Sequence, residues 1–251
     1  MIPSSFCTIC TKNCKQELIG FLLSLSFHHK NTNVYVICDN ETKKEIDNLT
    51  PQPRLNIKWT VTLDEFSDYN RAEMEKRNIF GKFLENKMDV MKIALKENTD
   101  TVFIDSDTII LDKIYVNETK ELGLSPQFIR DEHVKKTGYY NAGLLWTNNI
   151  DVCDSWKNVI DHNNSCAEQI NMIELTKKYQ YFEFGENYNL QTWRFLLGLE
   201  STENIASYVN VRNDKLYYKD QPLKFIHTHF NSRQFQGIND FFIKKMSEAK
   251  L

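Results

Sequence analysis

The most informative segment of the chain is Asp100–Leu111, which reads DTVFIDSDTIIL. Its first part, Thr101–Ile104, is continuously apolar apart from one threonine, which predicts a strand buried on both faces of a parallel sheet. Asp105 and Asp107 come directly after this strand. Because alternate residues of an extended chain point the same way, both carboxylates can reach one site. Ligands of open α/β sheets bind at the carboxyl ends of the strands, so we expect a ligand site here.

The chemistry of two neighbouring carboxylates favours a divalent cation. Hard oxygen ligands suit Mg²⁺ or Mn²⁺, and both cations usually keep positions open for phosphate oxygens. A cation held by Asp105 and Asp107 would neutralise a diphosphate leaving group. Taken alone, the pair is also compatible with a structural role, because aspartates after strands often cap helices or form turns.

Strand and helix patterns alternate before this segment. Asn33–Cys38 (NVYVIC) is almost continuously apolar and is typical of an interior strand. The predicted strands are Phe6–Cys10, Asn33–Cys38 and Asn56–Thr62, and the predicted helices are Gln16–His29, Glu41–Leu49, Asp64–Lys76 and Leu84–Asn98. This order indicates βαβ units with a parallel sheet.

The pattern becomes mixed after residue 112. The predicted strands there are Leu122–Gln127, Ala142–Thr147, Ser207–Val211, Lys215–Tyr218 and Lys224–His229, and the predicted helices are Asp151–His162 and Glu168–Tyr179. The last segment, Asn239–Leu251, has apolar residues beside lysines and predicts an amphipathic helix that packs back on the domain.

The bulk properties exclude several classes of protein. A net charge of -3, from 31 basic and 34 acidic residues, offers no general attraction to nucleic acid or anionic membranes. The start of the chain lacks a signal-peptide pattern and Leu18–Phe27 is too short to span a bilayer, so we expect a soluble, cytoplasmic protein. Cys7 and Cys10 have the spacing of a zinc knuckle, but no second pair follows, so free thiols are the expectation.

The Asp100–Leu111 segment resembles the DxD segment of GT-A glycosyltransferases. The likeness is strongest to the retaining glycogenin-like and bacterial galactosyltransferase-like enzymes of family 8. Further segments resemble that family in the same order along nearly the whole chain: FCTICTKN at Phe6–Asn13, YYNAGLLWTN at Tyr139–Asn148, EQIN at Glu168–Asn171 and FIHTH at Phe225–His229.

The resemblance implies a fold and an activity. It implies a single GT-A domain over residues 1–251, in which a mostly parallel central sheet has flanking helices and a smaller mixed β region fills the C-terminal third. Residues 1–112 would be the nucleotide-binding half and residues 113–251 the donor-sugar and acceptor half. The implied activity is metal-dependent, retaining transfer of a hexose from a nucleoside diphosphate sugar, UDP-sugar being favoured. The acceptor would be a hydroxyl of a glycan, protein or small molecule.

The resemblance also implies roles for particular residues. Asp105, Asp107 and His227 would hold the cation, and the histidine favours Mn²⁺ over Mg²⁺. His229, on the same predicted strand face, is a rival ligand. Gln169 would lie nearest the anomeric carbon, and Glu168 would reach sugar hydroxyls. The residues expected to bind the donor are Thr11, Asp39, Lys87, Asp105, Asn141, Gly143 and Arg233.

Two departures from the family leave alternatives open. No aromatic residue follows the first strand, because Cys14 and Lys15 stand near that place, so the base is undetermined. The family's Gly and Lys-Pro-Trp after the late histidine are absent, and Arg233 could replace the lysine.

An inverting enzyme would need a carboxylate base, for which Asp131, Glu132 and Glu186 are candidates. The rival functions are an inactive glycan- or partner-binding module and a sugar-phosphate nucleotidylyltransferase.

Overall fold

The structure is a computed structural model that describes residues 1–162, 166–197, 205–229 and 235–250. Within these ranges the largest sheet has seven strands in the order β3-β2-β1-β4-β7-β6-β8. Their bounds in chain order are β1 Ser5–Cys10, β2 Asn33–Cys38, β3 Asn56–Val61, β4 Thr101–Ile104, β6 Leu122–Pro126, β7 Tyr140–Thr147 and β8 Tyr181–Glu183.

The first half of this sheet is parallel. β1 pairs in parallel with β2 and β4, and β2 pairs in parallel with β3. The helices of this half are α1 Lys15–His28, α2 Asn40–Asp47, α3 Arg71–Lys76 and α4 Phe80–Leu95. Alternate residues of β1 enter different apolar clusters, Cys7 with Met91 of α4 and Phe6 with Phe21 of α1. Both faces are therefore covered, which explains why the strands read as continuous apolar runs.

The second half of the sheet mixes strand directions. β4 and β7 are antiparallel, β7 and β6 are antiparallel, and β6 and β8 are parallel. Two helices, α5 Asp131–Thr137 and α6 Asp151–Asn158, flank β7 in the chain. The expected mostly parallel sheet with a change of pattern after residue 112 is confirmed.

The C-terminal third contributes strands to two small sheets, which confirms the expected smaller β region. β5 Thr108–Ile110 pairs antiparallel with β13 Phe225–His227, which pairs in parallel with β9 Leu190–Gln191. The other sheet contains β10 Val209–Arg212, β11 Lys215–Tyr218 and β12 Gln221–Pro222. The remaining helices are α7 Thr192–Leu197, α8 Ile205–Tyr208 and α9 Gln236–Glu248.

The last helix packs against the small antiparallel sheet, as the sequence indicates. Ile238 and Phe242 of α9 share an apolar cluster with Val209 and Leu216. Among the residues described here, no helix has the length and apolar character needed to cross a membrane.

Two predicted helices are wrong in extent. The Asp64–Lys76 segment divides into a 3-10 turn and α3, because Asn70 and Glu73 form a capping box that starts a new helix. The Glu168–Tyr179 segment contains turns and then a 3-10 helix at Met172–Lys177. The Glu168 carbonyl accepts a hydrogen bond from Trp156 Nε1 at 2.6 Å, so a tertiary contact takes a group that a helix would need.

Two boundaries change how site residues are presented. The helix predicted from Leu84 begins about one turn earlier, at Phe80, so Lys87 lies well inside α4. The last predicted strand ends at His227. His229 therefore lies beyond the strand, with a left-handed φ of 49°.

Candidate metal and donor site

A cavity of about 650 Å³ opens beside the carboxyl ends of β1 and β4, where the sequence predicts a ligand site. Its lining contains most of the predicted site residues: Thr11, Lys87, Asp105, Asp107, Asn141, Glu168, Gln169 and His227, together with the rival ligand His229. The topology thus brings residues from both halves of the chain to one edge of the sheet.

Asp107 lies at the centre of a cluster of potential metal ligands. Its Oδ1 is 2.9 Å from Nε2 of His227, and its Oδ2 is 2.8 Å from Nδ1 of His229. One ligand atom from each of these three residues lies within 4.8 Å of the others. Oδ2 of Asp105 is 3.9 Å from Nε2 of His227. Two carboxylates and two imidazoles therefore converge.

Main-chain contacts fix the two halves of this cluster to each other. The Asp107 carbonyl accepts hydrogen bonds from the backbone N–H and the hydroxyl of Thr228, at 2.8 and 2.9 Å. The antiparallel pairing of β5 with β13 places Thr108 opposite His227. The carboxylates and the late histidine are therefore held together by elements that lie more than a hundred residues apart in the sequence.

The donor set fits a divalent cation of the first transition row. Carboxylate oxygens suit Mn²⁺ and Mg²⁺, whereas imidazole nitrogen favours the transition metal. The two histidines differ in the hydrogen bonding of the ring nitrogen that faces away from Asp107. Nδ1 of His227 has a hydrogen-bonding partner in Asn189, whereas the buried Nε2 of His229 has none among the described residues. His227 is the better-oriented ligand of the two.

The charges in the cluster are strongly coupled. Burial disfavours the Asp107 carboxylate, but the adjacent His227 and His229 outweigh burial and hold its pKa well below the usual range. Burial likewise disfavours a charged His227, but Asp107 and Asp105 raise its pKa. Burial raises the pKa of Asp105 despite the nearby Lys87. A cation bound by these groups would therefore compete with protons for them.

Lys87 connects the cluster to the region around residue 168. Its side chain is buried, and Nζ lies 2.8 Å from Oδ1 of Asp105 and 3.2 Å from Oε1 of Glu168. Burial opposes the ammonium charge, but these two carboxylates outweigh it and raise the pKa of Lys87. Lys87 is therefore a fixed positive charge in the cavity wall. From the sequence alone, a solvated lysine on the helix surface was an equally good interpretation.

Asn141, Gly143 and Gln169 form a polar wall next to the carboxylates. The Gly143 N–H donates to Oδ1 of Asn141 at 2.9 Å, and Nδ2 of Asn141 donates to Oε1 of Gln169 at 3.3 Å. Nε2 of Gln169 donates to the Thr137 carbonyl at 2.9 Å. A Cβ on Gly143 would lie 2.7 Å from Oδ1 of Asn141 and 2.8 Å from Oδ2 of Asp105. Only glycine fits there without displacing these groups.

Three of the residues expected to bind the sugar donor are not shown with exposed side chains in the cavity. Thr11 lines the cavity but is 5% exposed. Asp39 does not line it: its buried carboxylate caps α2 through the Thr42 N–H at 2.7 Å and accepts from the Lys12 N–H at 2.6 Å. Arg233 lies outside the described residues.

The remaining alternatives can also be placed. Cys7 and Cys10 enter different apolar clusters, and burial raises the pKa of both thiols. The candidate inverting bases Asp131, Glu132 and Glu186 are not among the residues that line the cavity within the described chain.

Sequence reasoning missed Asn189, which is fully buried beside the site. It contacts both His227 and Asn141. No motif marks it, since it follows Tyr188 in a loop, and only its three-dimensional position shows its contacts.

Comparison with solved structures defines the class of fold. The sequence matches no model of a known protein family and no curated protein. Solved structures similar to this chain include GT-A glycosyltransferases, and this chain has the GT-A fold.

Two particular enzymes illustrate the likeness. The apo form of mouse xyloside xylosyltransferase 1 is 12% identical with a TM-score of 0.54, over 91% of this chain and 99% of that chain. An active-site mutant of LgtC is 13% identical with a TM-score of 0.54, over 98% and 95%. The galactosyltransferase LgtC in complex with donor and acceptor sugar analogues gives 12% identity and a TM-score of 0.50, over 97% and 95%. At such identities the likeness establishes the fold, and function has to be argued from the site.

Proposed function

We propose that this protein is a metal-dependent glycosyltransferase that moves a hexose from a nucleoside diphosphate sugar, favoured to be a UDP-sugar, to a hydroxyl acceptor. The observation that carries the proposal is the convergence of Asp105, Asp107 and His227 at the ligand-binding edge of a GT-A sheet. These three residues would hold the cation, Mn²⁺ in preference to Mg²⁺. When bound, the cation supplies positive charge that neutralises the diphosphate leaving group.

The other cavity residues have roles that follow from their chemistry. Asn141 and Gln169 present amide groups suited to sugar hydroxyls, with Gln169 nearest the anomeric carbon in our proposal. Glu168, oriented by Lys87, accepts hydrogen bonds from sugar hydroxyls. Thr11, at the end of β1, lies on the nucleotide side of the cavity.

Retention of anomeric configuration is the stereochemistry we propose, in line with the family 8 resemblance. Besides Asp105 and Asp107, the carboxylates in the described lining are Glu75 and Glu168. Glu75 lies 2.8 Å from Arg71, and Glu168 is paired with Lys87. In line with that resemblance, we propose that a departing phosphate oxygen takes the acceptor proton. An inverted product, identified by NMR, would contradict this assignment.

A sugar-phosphate nucleotidylyltransferase is less well supported. Such an enzyme uses a glycine-rich basic loop after the first strand, whereas here a short 3-10 turn at Lys12–Cys14 follows β1 without glycine. The acceptor's class, the cytoplasmic location and the division of the domain at residue 112 stay proposals on the sequence grounds given above.

The experiment is release of nucleoside diphosphate from a panel of nucleotide sugars, with Mn²⁺ or with a chelator. We expect release from one donor with Mn²⁺, and loss of that release in Asp107→Asn or with the chelator. Asp112→Asn is the matched control, because Asp112 pairs with Lys224 outside the cavity. Equal release by wild type and Asp107→Asn would refute the proposed site, and no release from any donor would favour an inactive binding module.

A further inference from the structure

Asn189 is a buried residue whose side-chain amide lies between the cluster of potential metal ligands around Asp107 and the polar wall formed by Asn141, Gly143 and Gln169. Its side chain has no solvent exposure, and its backbone has a left-handed φ of 46°, which asparagine adopts more readily than most residues. Its amide nitrogen lies 2.8 Å from Oδ1 of Asn141 and 3.1 Å from Oγ of Ser125, and its Oδ1 lies 3.2 Å from Nδ1 of His227. Both polar atoms of its side chain therefore lie within hydrogen-bonding distance of Asn141, Ser125 or His227.

The orientation of each amide follows from backbone groups whose roles are fixed. The Gly143 N–H can only donate, so the Asn141 atom that it contacts is the oxygen. Asn189 must then present its NH₂ group to Asn141 and its oxygen to His227. At the other end, the Thr137 carbonyl can only accept, so Gln169 presents its NH₂ group there and its oxygen to Asn141.

This directed chain determines the tautomer of His227. Oδ1 of Asn189 has no hydrogen to donate, so Nδ1 of His227 must donate to it. The ligating lone pair is then on Nε2, the nitrogen that lies 2.9 Å from Asp107. A polar partner of this kind commonly sets both the tautomer and the ring orientation of a metal-binding histidine.

We infer that Asn189 is a positioning residue that serves two parts of the site at once. Through its oxygen it fixes His227 for the cation, and through its NH₂ group it fixes Asn141 for the donor sugar. The inference rests on the proposed function, since it assigns Asn189 to the same metal and donor site.

Two substitutions separate these roles. Asn189→Ala removes both the acceptor for His227 and the donor for Asn141. Asn189→Asp has nearly the same shape and still accepts from His227, but the carboxylate cannot donate to Oδ1 of Asn141. Asn187→Ala is the matched control, because Asn187 is a buried asparagine of the same loop that donates to the Pro222 carbonyl, away from the cluster.

The experiment measures Mn²⁺ affinity by electron paramagnetic resonance titration. In each variant, calorimetry with Mn²⁺ then gives the affinity for a nucleotide sugar relative to its nucleoside diphosphate. We expect Asn189→Ala to weaken Mn²⁺ binding about 10- to 100-fold. Asn189→Asp should keep Mn²⁺ affinity within a few-fold but lose preference for the sugar-bearing ligand. Asn187→Ala should resemble wild type in both measurements.

The outcomes distinguish this inference from the proposed function. Wild-type Mn²⁺ affinity in a folded Asn189→Ala variant would overturn the role in metal binding. A loss of Mn²⁺ affinity of about tenfold or more in Asn189→Asp would overturn the tautomer argument, and this outcome tests the inference even if Asn189→Ala does not fold. If wild type itself binds no Mn²⁺, the proposed function fails and the inference fails with it.

Discussion

Gly143 lies between the cluster of potential metal ligands and the residues that we propose bind the donor sugar. A Cβ there would lie within 2.8 Å of groups on Asn141, His227 and Asp105. We expect Gly143→Ala to lower the free energy of unfolding by about 1–3 kcal/mol, because the neighbours must shift. The same shift should weaken Mn²⁺ binding.

Gly237 provides the comparison for this substitution. A Cβ at Gly237, in α9, would contact nothing within 4 Å among the described residues. Gly237→Ala should therefore leave Mn²⁺ binding unchanged and leave stability equal or slightly higher. Urea unfolding and Mn²⁺ titration of both variants measure the effects, and equal behaviour of the two would show that the close approach at Gly143 is unimportant.

The protonation of His227 predicts a pH dependence for metal binding. Burial disfavours the charged form of His227, but the carboxylates of Asp107 and Asp105 favour it and raise the pKa of His227. A cation can bind only the neutral ring. Mn²⁺ must then displace a proton at any pH below that pKa. Mn²⁺ affinity should rise with pH by about tenfold per unit in this range and level off above it.

Titrations of Mn²⁺ from pH 5.5 to 8.5 measure this dependence, with His227→Gln as the comparison because glutamine does not titrate. A wild-type affinity that does not change with pH would contradict the assignment of His227 as a ligand. A dependence that is equally steep in His227→Gln would assign the proton to another group.

The residues of the site divide into those that sequence could predict and those that it could not. The chemistry of Asp105 and Asp107 follows from their spacing after a buried strand, whereas the role of His227 was predicted only from the family resemblance. Asn189 lies in no motif, and its function depends on a contact with Asn141 from 48 positions earlier in the chain. Lys87 lies three residues after Leu84 and four before Met91, on the buried face of α4, but its ion pairs with Asp105 and Glu168 could not be predicted from that periodicity.

At the level of elements, the end of α1 contributes a buried histidine that affects stability. Nε2 of His29 accepts a hydrogen bond from the Ile114 N–H at 3.0 Å, and burial, with smaller effects from His28 and Lys113, lowers the pKa of His29 to about 4. The ordinary pKa is 6.5, so between pH 6.5 and 4 the unfolded chain binds a proton that the folded chain does not. Stability from this group is present above pH 6.5 and is lost as the pH falls through this window.

We therefore expect acidification from pH 7 to pH 4.5 to cost wild type roughly 2 kcal/mol more than His29→Gln. Glutamine can still accept from Ile114 but does not titrate. Urea unfolding of both proteins at the two pH values gives the difference. A pH dependence that is identical in the two proteins would show that His29 is not neutral in the folded state.

The bounds of helices and strands could be predicted where apolar residues follow a regular pattern. They could not be predicted where tertiary contacts take the backbone groups that a helix would use. The buried strands β1, β2 and β4 follow from their apolar runs. The helix predicted at Glu168–Tyr179 failed because the Trp156 side chain binds the Glu168 carbonyl. The start of α3 was recoverable in principle, since the capping residues Asn70 and Glu73 have the recognised spacing.

At the scale of the whole molecule, the fold brings the two ends of the site together. Asp107 and His227 are adjacent because β5 pairs with β13 across more than a hundred residues of chain. The order of the motifs predicted this class of fold, but the pairing of the C-terminal strands with β5 could not be read from apolar patterns. Short strands such as β9, with two residues, carry too little periodicity to be recognised.

We propose that the cluster at Asp107 binds a cation and, with it, a nucleoside diphosphate. The most direct measurement is thermal stabilisation by a panel of nucleoside diphosphates and nucleotide sugars, with and without Mn²⁺, on wild type and Asp107→Ala. We predict a rise in Tm with one base that requires Mn²⁺ and is absent in Asp107→Ala. A Tm that no member of the panel changes, or a rise that is the same in Asp107→Ala, would contradict the claim.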